Sequence, residues 1–242
     1  MDWSFFSSRA SVLSTPYVVL LLFITGCDTA ATSSQHTAED TLATQIEAAR
    51  TTGRRIQIEH TPVSDEQLAP LADLDNLREL LIDDPRSRVT ARGIEHLQGL
   101  PNLTHLRLRS GMDDDALRAI SRIKPLQILN VPSSSFSDAA LQSLKQLLDL
   151  VQLRFGSPNV TDAGMRTIAE LPAIKRLHLI DVPITDDGLR ELAKIEQLES
   201  LYIDGGNLSD AAIDELFRKR PRLHVHLNQQ HHDRDPAKHE HL

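Results

Sequence analysis

Residues 150–173 read LVQLRFGSPNVTDAGMRTIAELPA and residues 174–197 read IKRLHLIDVPITDDGLRELAKIEQ. Laid one over the other, Leu150, Leu153, Phe155, Val160, Met165, Ile168 and Leu171 fall on Ile174, Leu177, Leu179, Ile184, Leu189, Leu192 and Ile195, always 24 residues apart. The pattern continues downstream as Leu198, Leu201, Ile203, Leu208, Ile213 and Leu216. Upstream it runs back through Leu126, Leu129, Val131, Phe136, Leu141, Leu144 and Leu147, and then through Leu103, Leu106, Leu108, Met112, Leu117, Ile120 and Ile123. Leu77, Leu80, Ile82, Val89, Ile94 and Leu97 form a longer unit of 26 residues, its extra length lying in Asp83 to Arg88. Ile56, Ile58, Val63, Leu68 and Leu71 make the first copy, and Val225 and Leu227 a terminal half-copy. About seven units of 23–26 residues therefore occupy residues 53–228. Self-similarity at such a period marks a repeat architecture.

Each unit contains two hydrophobic periods. The alternating pair, such as Leu153 and Phe155, has the period of a short strand with one face on a core. The later triplet, such as Met165, Ile168 and Leu171, has helical spacing. Between them stands a column of helix-capping residues, Ser64, Thr90, Asp113, Ser137, Thr161, Thr185 and Ser209. Each can accept a hydrogen bond from an unpaired amide of the first helical turn. An acid follows in six units, at Asp65, Asp114, Asp138, Asp162, Asp186 and Asp210, where it meets the positive end of the helix dipole. Two places later a small residue recurs, Gly93, Ala116, Ala140, Gly164, Gly188 and Ala212, as close helix approach requires. With aromatic residues at only 4%, the core must be aliphatic. One unit cannot bury its own apolar face, so the copies must stack, and both ends need protection.

The motif Leu-x-x-Leu-x-Leu, then an aliphatic residue, Ser or Thr, Asp and a short helix, resembles the leucine-rich repeat family, in the variant common in bacterial and F-box-associated proteins. The resemblance implies an α/β repeat solenoid, a horseshoe with a parallel concave sheet. Where many members carry an Asn, Cys or Thr ladder, the later units read Ser134, Pro158, Val182 and Gly206, so no continuous ladder is expected along that turn. Eight strands give a sheet on the order of 35 Å across at strand spacing.

The flanks read differently. Tyr17 to Ile24 is uninterruptedly apolar but far too short to span a bilayer, and it ends in Ile24-Thr25-Gly26-Cys27. This resembles the lipobox cut by the bacterial lipoprotein signal peptidase, which implies a signal peptide over 1–26, lipidation of Cys27 and a lipid-anchored place at the cell envelope. Residues 27–37 are rich in Thr, Ser and Ala and are expected to be a flexible tether, with residues 38–52 an N-terminal capping helix presenting Leu42 and Ile46. Residues 229–242 form a His-rich polar tail after the last strand, whose charge would discourage edge pairing.

No phosphate-binding loop, nucleophile elbow, zinc-protease motif or calcium loop occurs, and Cys27 is the single cysteine. The expectation is a non-enzymatic module without cofactor. A formal net charge of −8 argues against nucleic acid as a partner. The positions that point off the core onto the concave sheet carry the binding candidates His105, Arg107, Arg109, Arg154, Arg176, His178, Tyr202 and His226. Sorted along the sheet, the basic residues fall in the middle, and the acids Glu59, Glu79, Asp83 and Asp204 fall nearer the ends. The leading expectation is a protein partner, with an anionic ligand for an arginine-rich groove, since the guanidinium fork pairs with carboxylates and phosphates. The alternative is an envelope metal or polyanion binder. For metal, His224, His226, His231 and His232 are weak candidates, a His-rich tract more often being a solvated tail.

Overall fold

A computed structural model describes residues 36–51 and 53–231. The proposed signal peptide, Cys27, most of the tether, His232 and the rest of the tail lie outside the described residues. Helix α1, His36–Thr51, precedes the repeats and buries Leu42, Ile46 and Ala49, packing beside strand β1, Arg55–Ile58. Strand and helix then alternate: α2 Asp65–Leu68, β2 Glu79–Ile82, α3 Ala91–Glu95, β3 His105–Leu108, α4 Asp114–Ile120, β4 Ile128–Val131, α5 Asp138–Leu141. The order continues with β5 Gln152–Phe155, α6 Asp162–Ala169, β6 Arg176–Ile180, α7 Asp186–Leu192, β7 Ser200–Asp204, α8 Asp210–Lys219 and β8 His224–Leu227. The strands lie in chain order in one sheet, each parallel to the next, so every repeat touches only its neighbours.

The register is the repeat itself. Leu153 lies beside Leu177, and Leu177 beside Leu201, so residues one period apart share a row across the sheet. The alternating aliphatics are buried essentially completely except Leu227 in the terminal half-copy, and the helical triplets close the core from the other side. Phe136 and Phe155 are its two aromatic members among the largest fully buried side chains, with ring centroids 5.3 Å apart.

Five of the seven capping residues accept the expected bond: Thr90 from the Arg92 amide, Asp113 from Ala116, Thr161 from Ala163, Thr185 from Asp187 and Ser209 from Ala212. Ser64 and Ser137 do not. Both head helices of a single turn that pass directly into 3-10 segments, Ala69–Asp73 and Gln142–Gln146. At Ser64 the cap is instead a capping box with Gln67, whose Oε1 accepts from the Ser64 amide at 2.9 Å.

The acid after each cap does more than face the dipole. The Asp162 carboxylate accepts from the amide and the hydroxyl of Thr185, the cap of the next repeat, at 2.8 and 2.6 Å. Asp65 holds Thr90, Asp114 holds Ser137, Asp138 holds Thr161 and Asp186 holds Ser209 in the same way. The series breaks once, where Ala91 takes the acid's place. A Cβ at Gly188 would stand 2.3 Å from Asp162 Oδ1, so the small column makes room for this carboxylate as well as for the helix.

The C-terminal edge departs from expectation. Asn228 and Gln229 both have positive φ, 52° and 64°, as a two-residue hairpin turn of the twist-matching type requires. They return the chain as a short strand β9, Gln230–His231, antiparallel to β8. The edge is thus covered by the first residues of the tail rather than by charge alone.

Candidate functional site

Strand alternation carries the second and fourth residues of each strand to the core and leaves rows on the concave face. One row is Gln57, Leu81, Arg107, Asn130, Arg154, His178, Tyr202 and His226, each beside the next in register. A second, two residues earlier, runs Arg55, Glu79, His105, Ile128, Gln152, Arg176, Ser200 and His224. Asp83, Arg109 and Asp204 belong to the row two residues after the first. All eight candidate binding residues therefore lie on one face, in two groups.

The first group sits on β3. Arg107 Nε lies 2.7 Å from Asp83 Oδ1 on the neighbouring strand, with both side chains largely buried. The contact is diagonal, from Asp83 to the strand beside it, a separation that long side chains cross. The nitrogen is not aligned as a hydrogen-bond donor to that oxygen, so the pair is held by charge. Burial raises the Asp83 carboxyl, opposed by Arg107 and Arg109, and burial lowers the Arg107 guanidinium, opposed by Asp83. Both shifts say that desolvation outweighs mutual attraction, as is general for buried pairs. His105 Nδ1 stands 4.0 Å from Glu79 and is likewise pushed below the ordinary imidazole range by burial. The Arg109 backbone amide donates to the Ile82 carbonyl at 3.0 Å, while its side chain makes no hydrogen bond or ion pair among the described residues.

The second group runs unbroken from β4 to β8. Arg154 donates from NH1 to Asn130 Oδ1 and from Nε to His178 Nδ1, each at 3.2 Å. His178 Nε2 lies 2.9 Å from Asp204 Oδ2. With Nδ1 accepting from a guanidinium that cannot give up its proton, Nε2 carries the ring proton and donates it to Asp204. His178 is buried at 8% exposure, and burial is the main reason its pKa falls, Asp204 opposing and Arg154 assisting. Burial, together with Arg107 and Arg109, also lowers Arg154 to about 10, which leaves it charged at neutral pH. Beyond His178, the Tyr202 ring lies 5.4 Å away and stacks on His226 at 4.3 Å, 23° from parallel. Tyr202 Oη lies 3.1 Å from His224 Nε2, and the two imidazole Nε2 atoms are 3.0 Å apart. Arg176, on the earlier row, donates to Gln152 Oε1 at 3.2 Å and keeps a side chain 42% exposed.

Asp83 and Asp204 are not remote from the basic strip but stand inside it, because each reaches diagonally to a neighbouring strand. Leu81, although on the concave row, is buried at 3%. Asn130, Gln152, Asp83 and Asp204 line the same face, each touching one of the Arg or His candidates. The period of two that places them on the face was the available signal. Of the metal candidates, His224 and His226 converge, the His231 backbone pairs opposite His226, and His232 lies outside the described residues.

Both ring nitrogens of the buried His178 are committed to Arg154 and Asp204, which fixes the orientation of the ring. What the face offers is guanidinium donors, an aromatic ring and imidazoles at fixed spacing.

No family model matches the chain, and no curated protein matches it. Among solved structures the chain is similar to an internalin C2 from Listeria monocytogenes, at 18% identity and a TM-score of 0.54, covering 82% of this chain and 100% of that one. It is also similar to a second internalin from Listeria monocytogenes, at 13% identity and a TM-score of 0.49, covering 74% of this chain and 54% of that one. The first likeness, with the in-order parallel sheet, shows the fold: an α/β leucine-rich repeat horseshoe.

Proposed function

We propose that this chain is a non-enzymatic recognition module that binds a protein partner along its concave face and is displayed at the bacterial envelope by lipid on Cys27. The observation that carries the reading is the continuous polar and aromatic row from Asn130 through Arg154, His178 and Tyr202 to His226, set on one parallel sheet. Arg and Tyr are the residue types that dominate binding hot spots, and here they are held by neighbours before any partner arrives. Asp83 and Asp204 compensate much of the strip's charge, which favours a mixed-charge protein surface over a uniform polyanion. Arg109 and Arg176 are the cations best placed to receive acidic side chains of that partner.

A photo-crosslinking residue placed in living cells at Arg109, Arg176 or Tyr202 is expected to trap one discrete protein species. The same residue at Arg166 or Leu148, exposed positions off the sheet, is expected to trap none. Arg109→Glu with Arg176→Glu should lower the Tyr202 adduct at least tenfold while the melting curve stays in place. Adducts from Arg166 or Leu148 alone would move the site off the concave face and overturn the reading.

A further inference from the structure

The geometry points to a metal site at the C-terminal end of the concave face: one divalent transition ion of the copper or nickel class, held by His224 Nε2 and His226 Nε2, with Tyr202 Oη at its edge. The two histidines are two residues apart on β8 and share a face, which brings their rings to 4.7 Å and their Nε2 atoms to 3.0 Å. An imidazole Nε2 offers either one proton or one lone pair in its plane. His224 Nε2 has two polar neighbours at bonding distance, Tyr202 Oη at 3.1 Å and His226 Nε2 at 3.0 Å, so one valence is shared between two contacts. A cation resolves this by taking the lone pair of each ring.

The spacing also fits an ion of this class. Nitrogen donors about 2.0–2.1 Å from a metal and 3.0 Å from each other subtend roughly 95° at the ion. That is a cis angle of the tetragonal arrangement that copper(II) and nickel(II) favour, whereas a tetrahedral zinc centre would hold its nitrogens roughly 3.3 Å apart. Tyr202 fixes one wall, since its ring stacks on His226 and lies edge-on to His224 at 5.7 Å. All three side chains are part-exposed, which leaves an ion a way in. His178 is not a ligand, because Arg154 and Asp204 occupy both of its nitrogens. Among the described residues no three His, Cys, Asp or Glu side chains converge, and the donors these residues bring to the site are the two imidazoles and the phenol. The His231 backbone, directly across from His226 in the antiparallel pair, stands beside the site.

The test is copper(II) titrated into the purified full chain, followed by calorimetry and electron paramagnetic resonance. One equivalent should bind with hyperfine structure from two imidazole nitrogens. His224→Ala and His226→Ala should each weaken it at least tenfold, with His224→Gln and His226→Gln as substitutes if an alanine variant melts early. Tyr202→Phe should keep the two-nitrogen signal. Removing residues 232–242 and replacing His178 by Gln should leave this equivalent in place. If binding survives both histidine substitutions but vanishes with residues 232–242, the ion sits on the tail and the proposal fails. Failure to bind copper(II) at micromolar concentration overturns it as well.

Discussion

His178 is the residue at which fold and binding face meet. It bridges Arg154 and Asp204 while buried, and its pKa lies below the usual 6.5 chiefly because burial penalises the charged ring. As pH falls through about 6.5, the unfolded chain takes up a proton that the folded ring refuses, so this group removes stability on acidification. His105, also lowered by burial, has the same sign. Asp83 has the opposite one: its carboxyl is raised, so acidification through its folded pKa relieves a penalty. Comparing variant with parent isolates the first term. His178→Gln is expected to lose less stability between pH 7 and pH 5 than the parent, read from urea midpoints. Parallel pH profiles would show that the ring is not held neutral.

At the scale of the element, the repeat is joined by its acidic helix starts. Asp162 satisfies both the backbone and the side chain of the next cap, Thr185, while Thr185 in turn accepts from the Asp187 amide. One residue type thus closes two helix starts in neighbouring units. Asp162→Ala removes two hydrogen bonds and a favourable charge at the α6 start and should cost about 1–2 kcal/mol, with the helix spectrum nearly unchanged. The midpoint of denaturant unfolding measures it. A loss under a few tenths would reduce these contacts to geometry without energy. The junction at Ala91 shows that one missing clamp is tolerated, because stacking of Ile94 and Leu97 on the core continues across it.

Over the whole molecule, stability is approximately a sum over units and their interfaces. Removing residues 150–173 joins Asp149 to Ile174 and keeps every row in phase. The shortened chain is expected to fold cooperatively, with a denaturant slope lower by roughly one-seventh in proportion to the surface lost. It also loses Arg154, the centre of the unbroken row, so partner capture should fall although the fold persists. A chain that cannot fold without this unit would show that the horseshoe is not additive.

The strands, the helices, the core and the caps were legible in the sequence because each is set by a period of two to four residues, or by a cap next to the amide it serves, and seven copies reinforce the signal. The concave face was legible for the same reason: Arg154, His178 and Tyr202 occupy one phase of that period. Which of those side chains meet was decided only by the tertiary structure. Asp83 reaches Arg107, Asp204 reaches His178 and Asp162 reaches Thr185 across neighbouring units, through diagonal offsets that depend on register and on the twist of the sheet. The hairpin that folds Gln230 and His231 onto β8 was hidden too, because Asn228 and Gln229 take positive φ only where a last strand offers an open edge to pair with. Periodicity fixes which way a residue faces; three-dimensional packing fixes what it touches.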